Sequence, residues 1–312
     1  MERLEAAIRR VRQRCRKHRH PVQASKPPLE SDAALAERLA KELREGSYRP
    51  KPPQVKEIPK AGGGVRLLKA PSFEDKVVQV ALLEVIEPLI DLPDSLHGFR
   101  KGRGVKTAIR AVADLVAQDL FWAVCVDIRA CFDSVNLERL FRRLKKRISD
   151  PRVLTLIRQI VLSGRRDAPQ GIPQGAPISP FLLNVYLSDL DKRLVKSRHP
   201  GRWVIYADDL IILCPDLHRA RTAIGLVKSA LADLGLEPSE KRPLKPVNLH
   251  HQKVEFLGLT VDRPYKKGMG TRKCRVRASA KARQRLEELK AAGSAASITG
   301  WQRYYETVTC QP

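Results

Sequence analysis

The stretch Trp203-Val204-Ile205-Tyr206-Ala207-Asp208-Asp209-Leu210-Ile211-Ile212-Leu213 decides the reading. Two apolar runs flank a short break that ends in adjacent carboxylates. The runs read as strands and the break as the turn between them. Paired carboxylates on a packed sheet repel each other and lose hydration, so such a pair persists where a dication neutralises it. Upstream, Phe121 to Ile128 reads as an apolar strand with Asp127 near its end. If these strands are neighbours in one sheet, three carboxylates converge at one edge. Hard oxygen ligands of this kind suit Mg²⁺ or Mn²⁺. Two such ions about 4 Å apart can activate an attacking hydroxyl and stabilise a leaving group. The competing reading, that each Asp merely caps a turn, would win for a lone Asp.

The chain has 312 residues, a net charge of +25 and a pI near 10.2. A charge this large on a folded chain argues for a polyanionic partner, with nucleic acid the usual one. The Lys and Arg residues occur in every segment, which disfavours a merely basic tail. Hydrophobic content of 43% is that of a soluble globular protein. No apolar run is long enough to span a bilayer, and the basic N-terminus lacks the apolar core of a signal peptide. A cytoplasmic protein without membrane contact is expected. Cys15, Cys125, Cys131, Cys214, Cys274 and Cys310 form no C-x-x-C pair, which fits a reduced compartment. Cys15, His18 and His20 match no common zinc spacing.

Working outward, residues 1–20 read as a basic helix broken by Pro21, Pro27 and Pro28, and residues 32–45 as an amphipathic helix. Ala61-Gly62-Gly63-Gly64 reads as the tip of a hairpin. Residues 74–90, 105–118 and 217–234 read as helices. So does the run Leu137, Leu140, Phe141, Leu144 and Ile148, with Asn136 as its N-cap. Gly171 to Ser179 must be a loop, with Pro180 in the first turn of the next helix. Val254 to Val261 reads as one strand. A last helix is expected from near Ser279 to before Gly293, followed by the aromatics Trp301, Tyr304 and Tyr305.

These segments, in this order, resemble the reverse transcriptase family. Asp127-Ile128-Arg129-Ala130-Cys131-Phe132-Asp133 resembles its first palm motif. Gly171-Ile172-Pro173-Gln174-Gly175-Ala176-Pro177-Ile178-Ser179-Pro180 resembles the second, and Tyr206-Ala207-Asp208-Asp209 the third. Gly235-Leu236-Glu237 with Lys241 is similar to the fourth, and Glu255-Phe256-Leu257-Gly258 to the fifth. Lys60 and Arg66-Leu67-Leu68 resemble the fingers motif. The resemblance covers roughly residues 32–305, and a run of motifs in the correct order is far more specific than Y-x-D-D alone. The Ile-Ser-Pro after Gln174-Gly175 and the loop His97-Gly98-Phe99-Arg100 are similar to the bacterial group II intron-like branch.

The resemblance implies an α+β right-hand polymerase: fingers, a palm of antiparallel sheet backed by helices, and a short helical thumb. A basic extension would cover residues 1–30, fingers 31–118, palm 119–262 with finger elements near 150–178, and thumb 263–312. It implies an RNA-directed DNA polymerase adding dNTPs to a DNA or RNA primer on an RNA template, with two Mg²⁺ ions or Mn²⁺ in their place. Asp127 and Asp208 would be the principal metal ligands, with the Ile128 carbonyl nearby and Asp209 completing the cluster. Lys60 and Arg66 would hold the triphosphate, Arg as a bidentate fork and Lys as a point charge; either alone would read as an exposed basic residue. Phe132 would meet the sugar and exclude a ribose 2′-hydroxyl, or pack in the core, or both. Gln174 and Gly175 would contact nucleotide and template. Lys241 would act as general acid or be a solvated lysine. Tyr206 would meet the primer–template, and Phe256-Leu257-Gly258 would form a tight turn pressing on the primer end, with a buried strand as the bland reading of Phe256. The basic loop from His97, and Arg142 to Arg147, would track a nucleic-acid backbone.

The runner-up is an RNA-binding, maturase-like splicing cofactor of a group II intron. The intact Asp127, Asp208 and Asp209 favour polymerase chemistry. The chain's stop soon after Tyr305 favours a stand-alone enzyme, in phage defence or a CRISPR-associated role, over an intron-mobility protein.

Overall fold

A computed structural model describes residues 1–17, 27–59, 65–163, 169–264, 274–291, 298–302 and 304–305. In chain order its elements begin with α1 (Glu2–Lys17), α2 (Asp32–Glu45), β1 (Gln54–Pro59), β2 (Val65–Ala70) and α3 (Phe73–Ile86). A 3₁₀ turn (Glu87–Leu89), α4 (Val105–Ala117), β3 (Trp122–Asp127), α5 (Leu137–Leu144), α6 (Pro151–Leu162) and α7 (Ser179–Lys196) follow. The rest is β4 (Arg202–Tyr206), β5 (Asp209–Cys214), α8 (Leu217–Ala232), β6 (Val247–Asn248), β7 (Val254–Phe256), β8 (Leu259–Asp262), β9 (Arg275–Ala278) and α9 (Ala280–Ala291). The chain divides into two compact units, Met1–Leu92 with Phe132–Leu187, and Pro93–Cys131 with Ser188–Pro312.

In the first unit, Leu4, Ala7, Ile8 and Val11 fall on one stripe of α1 at helical spacing and are buried against Leu35, Ala36 and Leu39 of α2 and Phe73 and Val77 of α3. The Ser31 hydroxyl accepts from the Ala34 amide and starts α2. β1 and β2 form an antiparallel hairpin; its expected glycine tip lies outside the described residues. Asn136 caps α5 as expected, through the Arg139 amide. Helix α6, opened by the Asp150 cap and Pro151, was not anticipated from the sequence.

The second unit holds an antiparallel sheet in the order β4-β5-β3-β6. Helix α4 covers one face, where Ala108, Ile109, Val112 and Val116 meet Ala123, Cys125, Ile211 and Leu213. Helix α8 packs against β3 and β5. A second sheet, β7-β8-β9, adds Val254, Phe256, Leu259 and Val261 to the α4-side core. The expected single strand from Val254 to Val261 is corrected here: it is the hairpin β7–β8. The chain reverses at Leu257 and Gly258, both in left-handed backbone at φ 53° and 75°. Two consecutive residues with positive φ match the right-handed twist of a tight hairpin.

Candidate active site

The sheet brings the sequence-predicted carboxylates together. β3 pairs with β5 so that Ala123 faces Leu213, Cys125 faces Ile211 and Asp127 faces Asp209. Cross-strand partners share a sheet face. Asp127 and Asp209 therefore continue the buried α4-side stripe to the edge, where apolar residues give way to acids. Asp208 sits in the turn, and its carbonyl accepts from the Ile128 amide at 2.8 Å. All three acids are half-buried. The preceding turn residue, Ala207, takes φ 54°, a conformation that costs a residue with a Cβ about 1 kcal/mol or more.

The electrostatics are those of an acid-rich cluster. Burial pushes the Asp209 carboxyl up to about 6; repulsion from Asp208 adds to this, the Arg242 guanidinium opposes it, and Asp127 adds further. The Cys131 thiol is also driven above its ordinary range, by burial first and then by Asp208 and Asp127. Hard carboxylate oxygens fit a divalent cation such as Mg²⁺. Among the described residues, no three His, Cys, Asp or Glu side chains stand close enough to enclose an ion. Asp209 instead meets Arg242, with Nη1 at 3.7 Å from its Oδ1.

Arg242 is the site residue that the sequence reading missed. It follows Lys241, expected to be a general acid or a solvated lysine, which is exposed. In a chain with 59 Lys and Arg residues, one more Arg in Glu240-Lys241-Arg242 carries no signal of its own.

The same unit seats the loop from His97 on the turn. The His97 amide donates to the Ile205 carbonyl, and the Ile205 amide to the Ser95 carbonyl, both at 2.8 Å. A Cβ on Gly98 would lie 2.9 Å from the Ala207 amide nitrogen, so only glycine fits. Phe99, 49% exposed and at φ 56°, packs its ring 6.1 Å from that of Tyr206. Arg100 is spent on the carbonyls of Pro93 and Leu96, at 2.6 and 2.9 Å. The His97 imidazole is buried and its pKa falls to about 4, by desolvation first and then by the charges of Arg103 and Arg100. Phe256 is buried while Leu257 and Gly258 form the hairpin turn.

The first unit gathers the other expected residues. The Phe132 carbonyl accepts from the Ile172 amide at 2.8 Å, and Gln174 Nε2 donates to the Asp133 carboxylate at 3.2 Å. The Lys69 amide on β2 donates to the Gln174 carbonyl at 2.8 Å. Gly175 takes φ 104°, and a Cβ there would lie 2.9 Å from the Lys69 carbonyl oxygen. The Gln174-Gly175 loop is thus stapled to the β1–β2 hairpin. Arg66 lies on β2 opposite Ile58, and Lys60 lies outside the described residues.

Residues 58–261, more than half of the chain, match the family described as reverse transcriptase (RNA-dependent DNA polymerase). The chain belongs to the reverse transcriptase family. It is 36% identical over 176 residues to protein YkfC of Escherichia coli K12, a match covering 53% of this chain and 46% of that one. It is 31% identical over 170 residues to the group II intron-encoded protein LtrA of Lactococcus lactis, covering 52% of this chain and 28% of LtrA. The matched region thus spans less than half of either relative. Telomerase from Candida albicans shares the fold, with a TM-score of 0.52 at 14% identity, over 80% of this chain and 49% of that one. The helices and antiparallel sheets of this chain are those of the right-hand polymerase fold, as the sequence implied. No helix among the described residues is long and apolar enough to cross a membrane.

Proposed function

We propose that the protein is an RNA-directed DNA polymerase that extends a primer 3′ hydroxyl with dNTPs on an RNA template. The observation that carries this reading is the acid-rich edge, where Asp127 pairs with Asp209 beside Asp208 within a reverse transcriptase domain. Asp127, Asp208 and the Ile128 carbonyl would hold divalent cations, Mg²⁺ or Mn²⁺. Such ions supply charge stabilisation for the attacking and leaving oxygens. The protein's own part is to hold these donors at the rim of a rigid sheet, where burial keeps their charge from being screened.

The finer assignments form part of the same proposal. Residues 31–118 are read as fingers, 119–262 as palm with finger elements near 150–178, and 263–312 as thumb. Lys60, Arg66 and Gln174 serve the nucleotide; the loop from His97 to Arg100, Gly175, Tyr206 and the Phe256–Gly258 turn serve primer and template. Phe132 excludes the ribose 2′-hydroxyl. Phe132→Val is expected to relax discrimination against rNTPs by roughly 10- to 100-fold, the worth of a lost steric contact in a pocket, read as the ratio of kcat/KM for dNTP and rNTP.

The test is extension of a DNA primer annealed to RNA, with dNTPs and Mg²⁺. Incorporation that follows the template sequence is expected. Protein that binds RNA tightly yet incorporates no dNTP with any primer would overturn the reading in favour of a maturase-like RNA-binding role. Sequencing of copurified nucleic acid would then assign the RNA it serves, and with it a defence, CRISPR-associated or intron-derived pathway.

A further inference from the structure

We propose that Arg242 is a positioning residue that holds Asp209 apart from Asp127 and Asp208 and ties it to the β7–β8 hairpin. This rests on the polymerase reading, which gives the carboxylate edge its task.

The geometry begins with the segment that carries Arg242. Residues 237–239 lie along the end of β3: the Arg129 amide donates to the Glu237 carbonyl at 2.9 Å, the Ser239 amide to the Asp127 carbonyl at 2.6 Å, and Ile128 bridges Pro238. The base from which Arg242 reaches out is therefore fixed to the backbone of Asp127 itself. From there the guanidinium spans two elements. Its Nη1 stands 3.7 Å from Asp209 Oδ1, and its Nη2 donates to the Glu255 carbonyl of β7.

A planar guanidinium suits this better than any other side chain. Its donors are rigidly spaced, it keeps its charge, and holding one partner pre-orients it for the other. A lysine would supply the charge without the fork. With Arg242 in place, Asp209 has a cation to face and stays out of the ion-holding set. With Arg242 gone, Asp209 loses the guanidinium that it faces and can swing toward the pair. Sheet register supports the same picture, because Asp209 shares its face with Cys125 and with the β7–β8 core. The tie thus sets the distance between the second turn carboxylate and the hairpin read as holding the primer end.

The experiment compares wild type, Arg242→Met, Arg242→Lys, Asp209→Asn and the double variant Asp209→Asn/Arg242→Met. Each is measured by single-nucleotide extension, by Mn²⁺ binding from the free-ion EPR signal, and by thermal melting. Arg242→Met is expected to lower kcat by about 10- to 100-fold, the range for contacting charged groups, with dNTP KM within about twofold. Arg242→Lys recovers part of that loss. The double variant is no slower than Asp209→Asn alone. Mn²⁺ binds Arg242→Met at least about threefold tighter than wild type, because the freed Asp209 joins the ion, and Asp209→Asn removes that gain. Equal losses from Arg242→Met in the wild-type and Asp209→Asn backgrounds would overturn the proposal, as would unchanged or weakened Mn²⁺ binding. A wild type that extends no primer breaks the polymerase reading instead, and the Mn²⁺ titration still decides the role of Arg242.

Discussion

Asp75 and Asp209 are two carboxylates drawn out of water, and the protein treats them in opposite ways. Asp75, on α3 in the first unit, is 2% exposed. It accepts from the Tyr48 hydroxyl, from Ser72 Oγ at 2.7 Å and from the Lys51 amide at 3.3 Å. Around it, Arg38 joins Glu30, Glu42 and Glu74, and Lys51 joins Glu74. Each of these glutamates faces a base, and Asp75 itself is met by donors. Asp209 has two acids for neighbours and one guanidinium at 3.7 Å. A buried carboxylate with a full set of donors is architecture, because its charge is already answered. One left among like charges at a sheet rim is only partly answered by a single guanidinium, the strained setting in which perturbed functional carboxylates are found.

That contrast can be broken by removing each charge in turn. Asp75→Asn strips a charged acceptor from three donors and is expected to destabilise the first unit by roughly 3 kcal/mol. Urea unfolding checks this, and extension per folded molecule should be unchanged. His97 offers a pH handle on the second unit. Its folded pKa of about 4 lies below the ordinary value near 6.5, so the unfolded chain binds the extra proton first. Stability is therefore full above pH 6.5 and is lost as pH falls toward 4, by about 2–3 kcal/mol. Melting curves across that window should show the loss in wild type and a flatter profile in His97→Asn.

Asp209→Asn should act in the reverse sense to Asp75→Asn. A carboxyl raised to about 6 is held at a cost once ionised. In metal-free protein the substitution should add roughly 1–2 kcal/mol at neutral pH. The gain should fade as pH drops below about 6 toward the unfolded value near 4, where both states become protonated. Metal-free melting at pH 7.5 and pH 4.5 checks it. A loss of stability at pH 7.5 would erase the distinction between the two aspartates.

Much of this was legible in the sequence because burial leaves periodic traces. The stripe Leu137, Leu140, Phe141, Leu144 announces α5, and the apolar runs beside Asp127 and Asp208 announce the strands that carry them. Other features left no such trace. In the residue pattern the β7–β8 turn is hidden inside Phe256-Leu257-Gly258-Leu259, because a leucine in left-handed backbone looks like one more strand residue, and only the family resemblance implied a tight turn there. The two-residue strand β6 pairs through main-chain groups that any sequence possesses. Helix α6 opens on a proline, which reads as a breaker until its Asp150 cap is seen. Arg242 gains its meaning only from what it touches.

The central claim is that the carboxylate edge is a catalytic cation site and not merely an expensive turn. Its most direct test is templated dNTP incorporation by Asp208→Ala beside wild type, at saturating Mg²⁺, with thermal melting of both. The account predicts a loss of about 1,000-fold or more, worth at least about 4 kcal/mol of barrier, while the variant melts no lower than wild type. Incorporation within about tenfold of wild type, a barrier change below about 1.4 kcal/mol, would contradict it.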